Sequence, residues 1–220
     1  MKLYYLTPAD YAVSNIALRR LKISRISDLN DPFELLAAEL TDKDFRRAIK
    51  NWKQELNKTK GLLCFSESWR NPVLWGHYGD RHRGICLGFD VPENDTMPVN
   101  YSKSRVKIKF INNDPERGPS EAFVNKLLRT KYKHWIYEKE RRVFIDLDEK
   151  TKENGNFFYE YSDKFSLSEV IIGPHCEIPK KQIEELTTKT NGPTRIIKAR
   201  LGFENFEVVI DQRYENKRIV

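Results

Sequence analysis

Four short apolar runs set the fold class of this chain: Leu62 to Phe65, Ile85 to Phe89, Val143 to Ile145 and Val170 to Ile172, each bounded by turn-forming or charged residues. Runs of that length suit buried strands. The segments between them carry helix punctuation instead. Thr7-Pro8 offers a cap and a first-turn proline for a helix to about Arg20, and Asn71-Pro72 does the same for a short helix to about Tyr78. Thr41 opens a helix in which Phe45, Ala48, Ile49, Trp52 and Leu56 share one face, with Gly61 as its stop. Further helices are predicted from Ser120 to about Tyr132 and from Pro179 to a stop at Asn191-Gly192. Leu3 to Leu6, Phe157 to Tyr159, Thr194 to Ala199 and Phe206 to Asp211 read as additional strands, and residues 112–119 as an exposed loop. Helices and strands mix without a regular strand-helix-strand alternation. The expectation is therefore α+β: one continuous domain over residues 1–220, with a mixed, mostly antiparallel sheet flanked by helices.

Twelve Phe, ten Tyr and four Trp in 220 residues supply an ordinary core and exclude a disordered chain. No apolar run approaches the ~18 residues of a membrane span, and the first six residues are too short and aromatic for a signal peptide. Three widely spaced cysteines, Cys64, Cys86 and Cys176, fit reduced thiols better than a disulfide framework, so the protein is expected in the cytoplasm. The net charge of +7 is uneven: residues 1–60 carry +4, residues 61–142 carry +5 and residues 143–220 carry −2. The basic excess suits a nucleotide or nucleic acid as partner.

Metal chemistry finds little support. His77, His82, His134 and His175 include no pair at helical ligand spacing, and there is no Cys-x-x-Cys. The Gly-rich phosphate loops and the Gly-x-Ser-x-Gly nucleophile motif are missing as well.

Four polar clusters remain as candidates. Asn30-Asp31-Pro32-Phe33-Glu34 has turn chemistry with an aromatic to pin it to the core. Cys64-Phe65-Ser66-Glu67 ends an apolar strand on a hydroxyl, which either caps a helix or faces a ligand. Leu74 to Gly84 packs Trp75, His77, Tyr78, His82 and Arg83 among three glycines, a mixture suited to stacking, proton exchange and close backbone approach, or to plain core and turn. Lys133 to Arg142 places Glu138 and Glu140 on one face if the segment is extended. Two such carboxylates raise each other's pKa, as a general acid needs, unless Arg141 or Arg142 neutralises them in an ion-pair ladder. In addition, Tyr101 to Phe110 alternates, so that a strand there would show Tyr101, Lys103, Arg105, Lys107 and Lys109 on one face, either as a track for a phosphate backbone or as an edge protected by lysines.

Taken in order, these clusters resemble the bacterial domain-of-unknown-function family 2971. The likeness rests on Asn30 to Glu34, Phe65-Ser66-Glu67, Asn71-Pro72 with Trp75-Gly76-His77-Tyr78, Arg83-Gly84 with Gly88-Phe89, Trp135 with Tyr137 to Arg141, and Val170 to Pro174. Members usually carry a Lys and an Arg in the first strand, where this chain has Tyr5, Leu6 and Thr7. The arrangement is also similar to that of ADP-ribosyltransferases, and what that similarity implies is an NAD-dependent transferase or NAD-cleaving enzyme of bacterial toxin or phage-defence type, with NAD as substrate and no metal. Glu140 or Glu138 would stabilise the oxocarbenium-like state and Tyr78 or Trp75 would stack nicotinamide. Ser66 would bond the ribose, His77 with Arg83 would hold the adenosine ribose and diphosphate, and Asn30 and Asp31 would complete the substrate site. The alternative is a nucleic-acid-directed protein, either a metal-independent ribonuclease using His77 or His82 or a noncatalytic binder of RNA or DNA.

Overall fold

The structure is a computed structural model that describes residues 1–33, 36–107, 120–149, 152–188 and 193–215. The strands are β1 (Lys2–Thr7), β2 (Arg20–Arg25), β3 (Lys60–Ser66), β4 (Ile85–Asp90), β5 (Met97–Pro98), β6 (Asn100–Ser102), β7 (Thr130–Tyr132), β8 (Glu140–Asp146), β9 (Lys152–Glu153), β10 (Asn156–Glu160), β11 (Ser166–Ile172), β12 (Arg195–Leu201) and β13 (Val208–Ile210). The helices are α1 (Ala9–Leu18), α2 (Lys43–Thr59), α3 (Pro72–His77), α4 (Glu121–Leu128), α5 (Lys180–Thr187) and α6 (Gln212–Glu215). The chain is α+β, and its pairings are mostly antiparallel.

Where the sequence reads as one continuous stretch, contacts group into two compact units. The first comprises Met1–Lys22, Cys64–Thr96 and Phe158–Val220. Its strands run β13-β12-β11-β4-β1, with the end of β3 beside β1 through Tyr4 and Ser66. β11 and β12 are parallel, and the other neighbours in this row are antiparallel. Trp75, Cys86, Ile171, Ile197 and Val208 form a core there, and the Trp75 indole N–H donates to the Trp69 carbonyl at 2.6 Å, so the ring is buried with its one polar group satisfied.

The second unit comprises Ile23–Leu63 and Met97–Phe157. Ala38, Phe45, Ile49, Val106, Phe123 and Leu127 make its core, which joins the apolar faces of α2 and α4. α2 is capped by Asp42, which accepts from the Phe45 N–H at 2.7 Å, one residue later than the expected cap Thr41. The helix expected from Ser120 to about Tyr132 starts at that point, with Ser120 as its cap, but α4 ends at Leu128 and the chain continues as β7, parallel to β6. The capping that was expected of Thr7 is also absent: Thr7 closes β1, and Pro8 stands at the cap position of α1.

Candidate functional site

Glu138 and Glu140, expected on one face of an extended segment, stand on either side of a break in the backbone instead. Residues Lys133–Glu138 wind into a 3-10 helix, Lys139 turns left-handed at φ 44°, and β8 begins at Glu140. The left-handed step turns the two carboxylates onto a common cation. Lys131, from β7, donates to Glu138 at 2.5 Å and to Glu140 at 3.0 Å. Arg142 adds two bonds to Glu140, at 2.7 and 3.3 Å, and another to the Leu128 carbonyl at 2.9 Å. Two acids and two bases are thus buried together with no net charge, the arrangement in which buried ions are tolerable.

Titration follows from this geometry. Burial works to raise the Glu140 pKa, but Arg142 and Lys131 more than offset it and hold the carboxyl at about 2. Burial likewise works against the Lys131 ammonium, and Glu140 with Glu138 holds its pKa above the ordinary value. The general-acid expectation for Glu140 is therefore corrected. This carboxylate is ionised, and the Arg142 neutralisation named as the alternative is what the structure contains.

Lys131 also reaches a cavity of about 390 Å³ in the same unit. Leu36 and Ala37 give it apolar wall, Phe33 and Tyr132 give it aromatic rings, and Ser102, Ser104 and Thr130 line it with polar residues. Lys103 and Arg105 are its cationic lining, Lys131 lines it with its charge already paired to Glu138 and Glu140, and no carboxylate stands among the described lining residues. Phe33 is half exposed, with the Arg105 guanidinium 5.3 Å from its ring centroid, so it is a wall of the cavity rather than the expected core anchor. Tyr132 is also half exposed, and its ring stacks on His134 at 4.8 Å.

The basic strand expected over 101–110 does not form as read. β6 stops at Ser102, whose hydroxyl accepts from the Ser104 N–H and donates to the Ser104 carbonyl, turning the chain. The turn places Lys103 and Arg105 at the cavity, while the last three residues of the expected strand lie outside the described residues. Beyond the turn, Val106 bridges Ala38.

The remaining candidates are distributed over both units. Asp31 is buried and accepts from the Phe33 N–H at 2.9 Å, a self-closing turn, with Asn30 beside it in the second unit. Glu34 lies outside the described residues. Ser66, Trp75, His77, Tyr78 and Arg83 lie in the first unit. The Ser66 hydroxyl both donates to the Ser68 carbonyl at 2.8 Å and accepts from the Ser68 N–H at 3.2 Å, so it shapes its own loop and caps no helix. Trp75 is fully buried and presents no face for stacking, which corrects its expected role. His77 is exposed at the end of α3, its ring centroid 6.1 Å from that of the half-buried Tyr78, and Arg83 pairs with Asp80 at 3.2 Å.

No local sequence signal announces the backbone of the loop between these residues. Asp80, Arg81 and His82 are all left-handed, at φ 43°, 53° and 70°. Such a run of non-glycine residues costs roughly 1–2 kcal/mol per residue and persists only where surroundings over-determine it. Here the Gly84 N–H donates to Gly79 at 2.7 Å, the His82 N–H donates to Trp75 at 3.2 Å, and the His175 N–H donates to the His82 carbonyl at 3.0 Å. The His82 ring faces His175, 6.0 Å between centroids, and burial followed by that neighbour lowers its pKa. No group of three or more His, Cys, Asp or Glu among the described residues could hold a metal ion.

The fold and cavity define an α+β protein with a basic, aromatic-walled cavity beside a neutral buried ion cluster. Residues 74–143 match the family described as Protein of unknown function (DUF2971), which supports the family that the motifs resemble. The matched span holds the whole ion cluster and the cavity residues from Ser102 to Tyr132. No curated protein and no solved structure matches the chain. No helix among the described residues is long and apolar enough to cross a membrane.

Proposed function

We propose that the second unit binds a single-stranded nucleic acid through the cavity, with bases against Phe33 and Tyr132 and phosphates at Lys103 and Arg105. The observation that carries this reading is the union of half-exposed rings with cations in one cavity whose described lining has no acid. Rings supply a sequence-tolerant stacking surface, and cations supply affinity that falls with salt. A volume of about 390 Å³ suits one nucleotide unit at a time. The three cysteines, none of them in a disulfide, fit a reducing cytoplasm, where such ligands are available.

NAD cleavage with Glu140 as the essential carboxylate is the second reading, and it rests on that group staying ionised. Lys131 and Arg142 already balance the charge it would offer to an oxocarbenium-like state, which is why binding is preferred. One set of measurements separates the two. Labelled RNA and DNA oligonucleotides are titrated with the protein at several salt concentrations, and nicotinamide release from NAD is followed in parallel. Binding that weakens with salt and is lost in a Lys103→Glu, Arg105→Glu variant is expected. Nicotinamide release without oligonucleotide binding would overturn the binding reading.

A further inference from the structure

The turn between β12 and β13 carries two aromatic side chains that nothing in the described structure covers. Phe203 is 89% exposed and Phe206 is 100% exposed, and Leu201 beside them is half exposed. Isolated exposed hydrophobics are ordinary, but two phenyl rings at one tip are not. The tip is not loose chain. The Gly202 N–H donates to the Glu207 carbonyl at 2.7 Å, the Glu207 N–H donates to Asn205 at 2.8 Å, and β12 and β13 pair below it from Leu201↔Val208 to Ala199↔Ile210. A Cβ at position 202 would crowd the Asn205 and Glu207 carbonyls, so glycine is required for the chain to close this tightly.

The charges around the rings come in both signs. Arg200 stands 4.1 Å from the Phe203 ring centroid and donates to the Leu201 carbonyl at 2.8 Å. Glu204 and Glu207 are exposed, and neither has an ion-pair partner among the described residues. β13 ends its row of strands, so no further strand stands beyond the tip within that row.

We infer that this tip is a two-fold dimerisation surface whose occupant is a second copy of the chain. An isologous interface needs one patch that complements itself, and this patch contains the three elements required: apolar anchors, a base and two acids. Rotation about a two-fold axis sets Phe203 and Phe206 of one protomer against those of its partner and brings Glu204 and Glu207 toward the opposite Arg200. An anionic lipid surface would repel the two glutamates, and a stacked base would meet them without compensation. The inference is independent of the cavity and its ligand.

Sedimentation velocity over a wide concentration range tests it, on the parent chain and on Phe203→Ser/Phe206→Ser, Glu204→Arg and Glu204→Arg/Arg200→Glu. The parent is expected to shift from monomer to dimer with concentration. The double serine variant is expected to raise the dissociation constant by about tenfold or more. Glu204→Arg is expected to weaken the dimer, and adding Arg200→Glu to restore it. Because the replaced phenylalanines are exposed, an unchanged melting curve in monomeric conditions accompanies these results. A parent that stays monomeric throughout would overturn the inference, as would a dimer indifferent to the serine and charge variants. If the double serine variant does not fold, the two charge variants decide alone.

Discussion

The Lys131 ammonium lies 3.0 Å from the Glu140 carboxylate, with both side chains almost wholly buried. Because Arg142 holds the same carboxylate at 2.7 Å, removing the Glu140 charge takes one carboxylate from two buried cations, of which Lys131 keeps its pairing with Glu138. Glu140→Gln is therefore expected to destabilise the chain by about 3 kcal/mol, within the usual range for breaking a buried ion pair. Thermal melts of Glu140→Gln measure this, and nicotinamide release on the same variant separates scaffold from catalysis. A folded variant with parental stability would refute the ion-cluster account.

The same pair sets an acid limit. Glu140 titrates lower in the folded chain, at about 2, than its ordinary 4.5, so its contribution to stability is complete above about 4.5 and is lost as the pH falls toward 2. Denaturant midpoints from pH 6 downward are expected to drop through this window. Lys131→Met is expected to flatten the drop, because one of the cations that depress Glu140 has gone. An equally steep drop in Lys131→Met would remove Lys131 from the explanation.

The nucleic-acid binding proposed for the cavity would have two separable parts. Lys103→Ala would remove one of the proposed phosphate contacts, so the dependence of log affinity on log salt for a single-stranded oligonucleotide is expected to become shallower by about 0.7. Phe33→Ala removes a stacking face and is expected to cost about 1–3 kcal/mol with the salt slope unchanged. A Phe33→Ala variant that instead alters the salt slope would show that the ring orders the cations rather than stacking on bases.

Much of the fold could be read from local chemistry, and the elements without a local signal share a cause. The apolar strands and the Asn71 and Ser120 caps are local signals, and each appears where the residues place it. β2 has no announcing signal in the sequence, because α1 ends on Arg19 in a left-handed conformation, φ 51°, without the glycine or asparagine that normally marks such a turn. Lys139 conceals the 3-10 helix before β8 in the same way. The cavity escaped for a different reason: Phe33, Arg105 and Lys131 meet only after the chain has folded, and no spacing rule links them. The geometry of the cavity comes from tertiary contacts, which residue types alone do not specify.

The left-handed run at Asp80, Arg81 and His82 stores backbone strain in its loop. Aspartate tolerates this region better than arginine does, and Arg81 is exposed, so Arg81→Gly relieves backbone strain with little packing loss. It is expected to stabilise the folded state by roughly 0.5–1 kcal/mol, less the extra freedom that glycine gives the unfolded chain. Gly84→Ala tests the other side of the same loop. A methyl there would collide with the Thr7 carbonyl and with Gly79, both backbone, and neither can move without breaking β1 pairing or the Gly84 to Gly79 bond. Loss of about 2 kcal/mol or more is expected. Chemical denaturation of the two variants should move in opposite directions. If Arg81→Gly also destabilises, the arginine side chain rather than the strained backbone governs this loop.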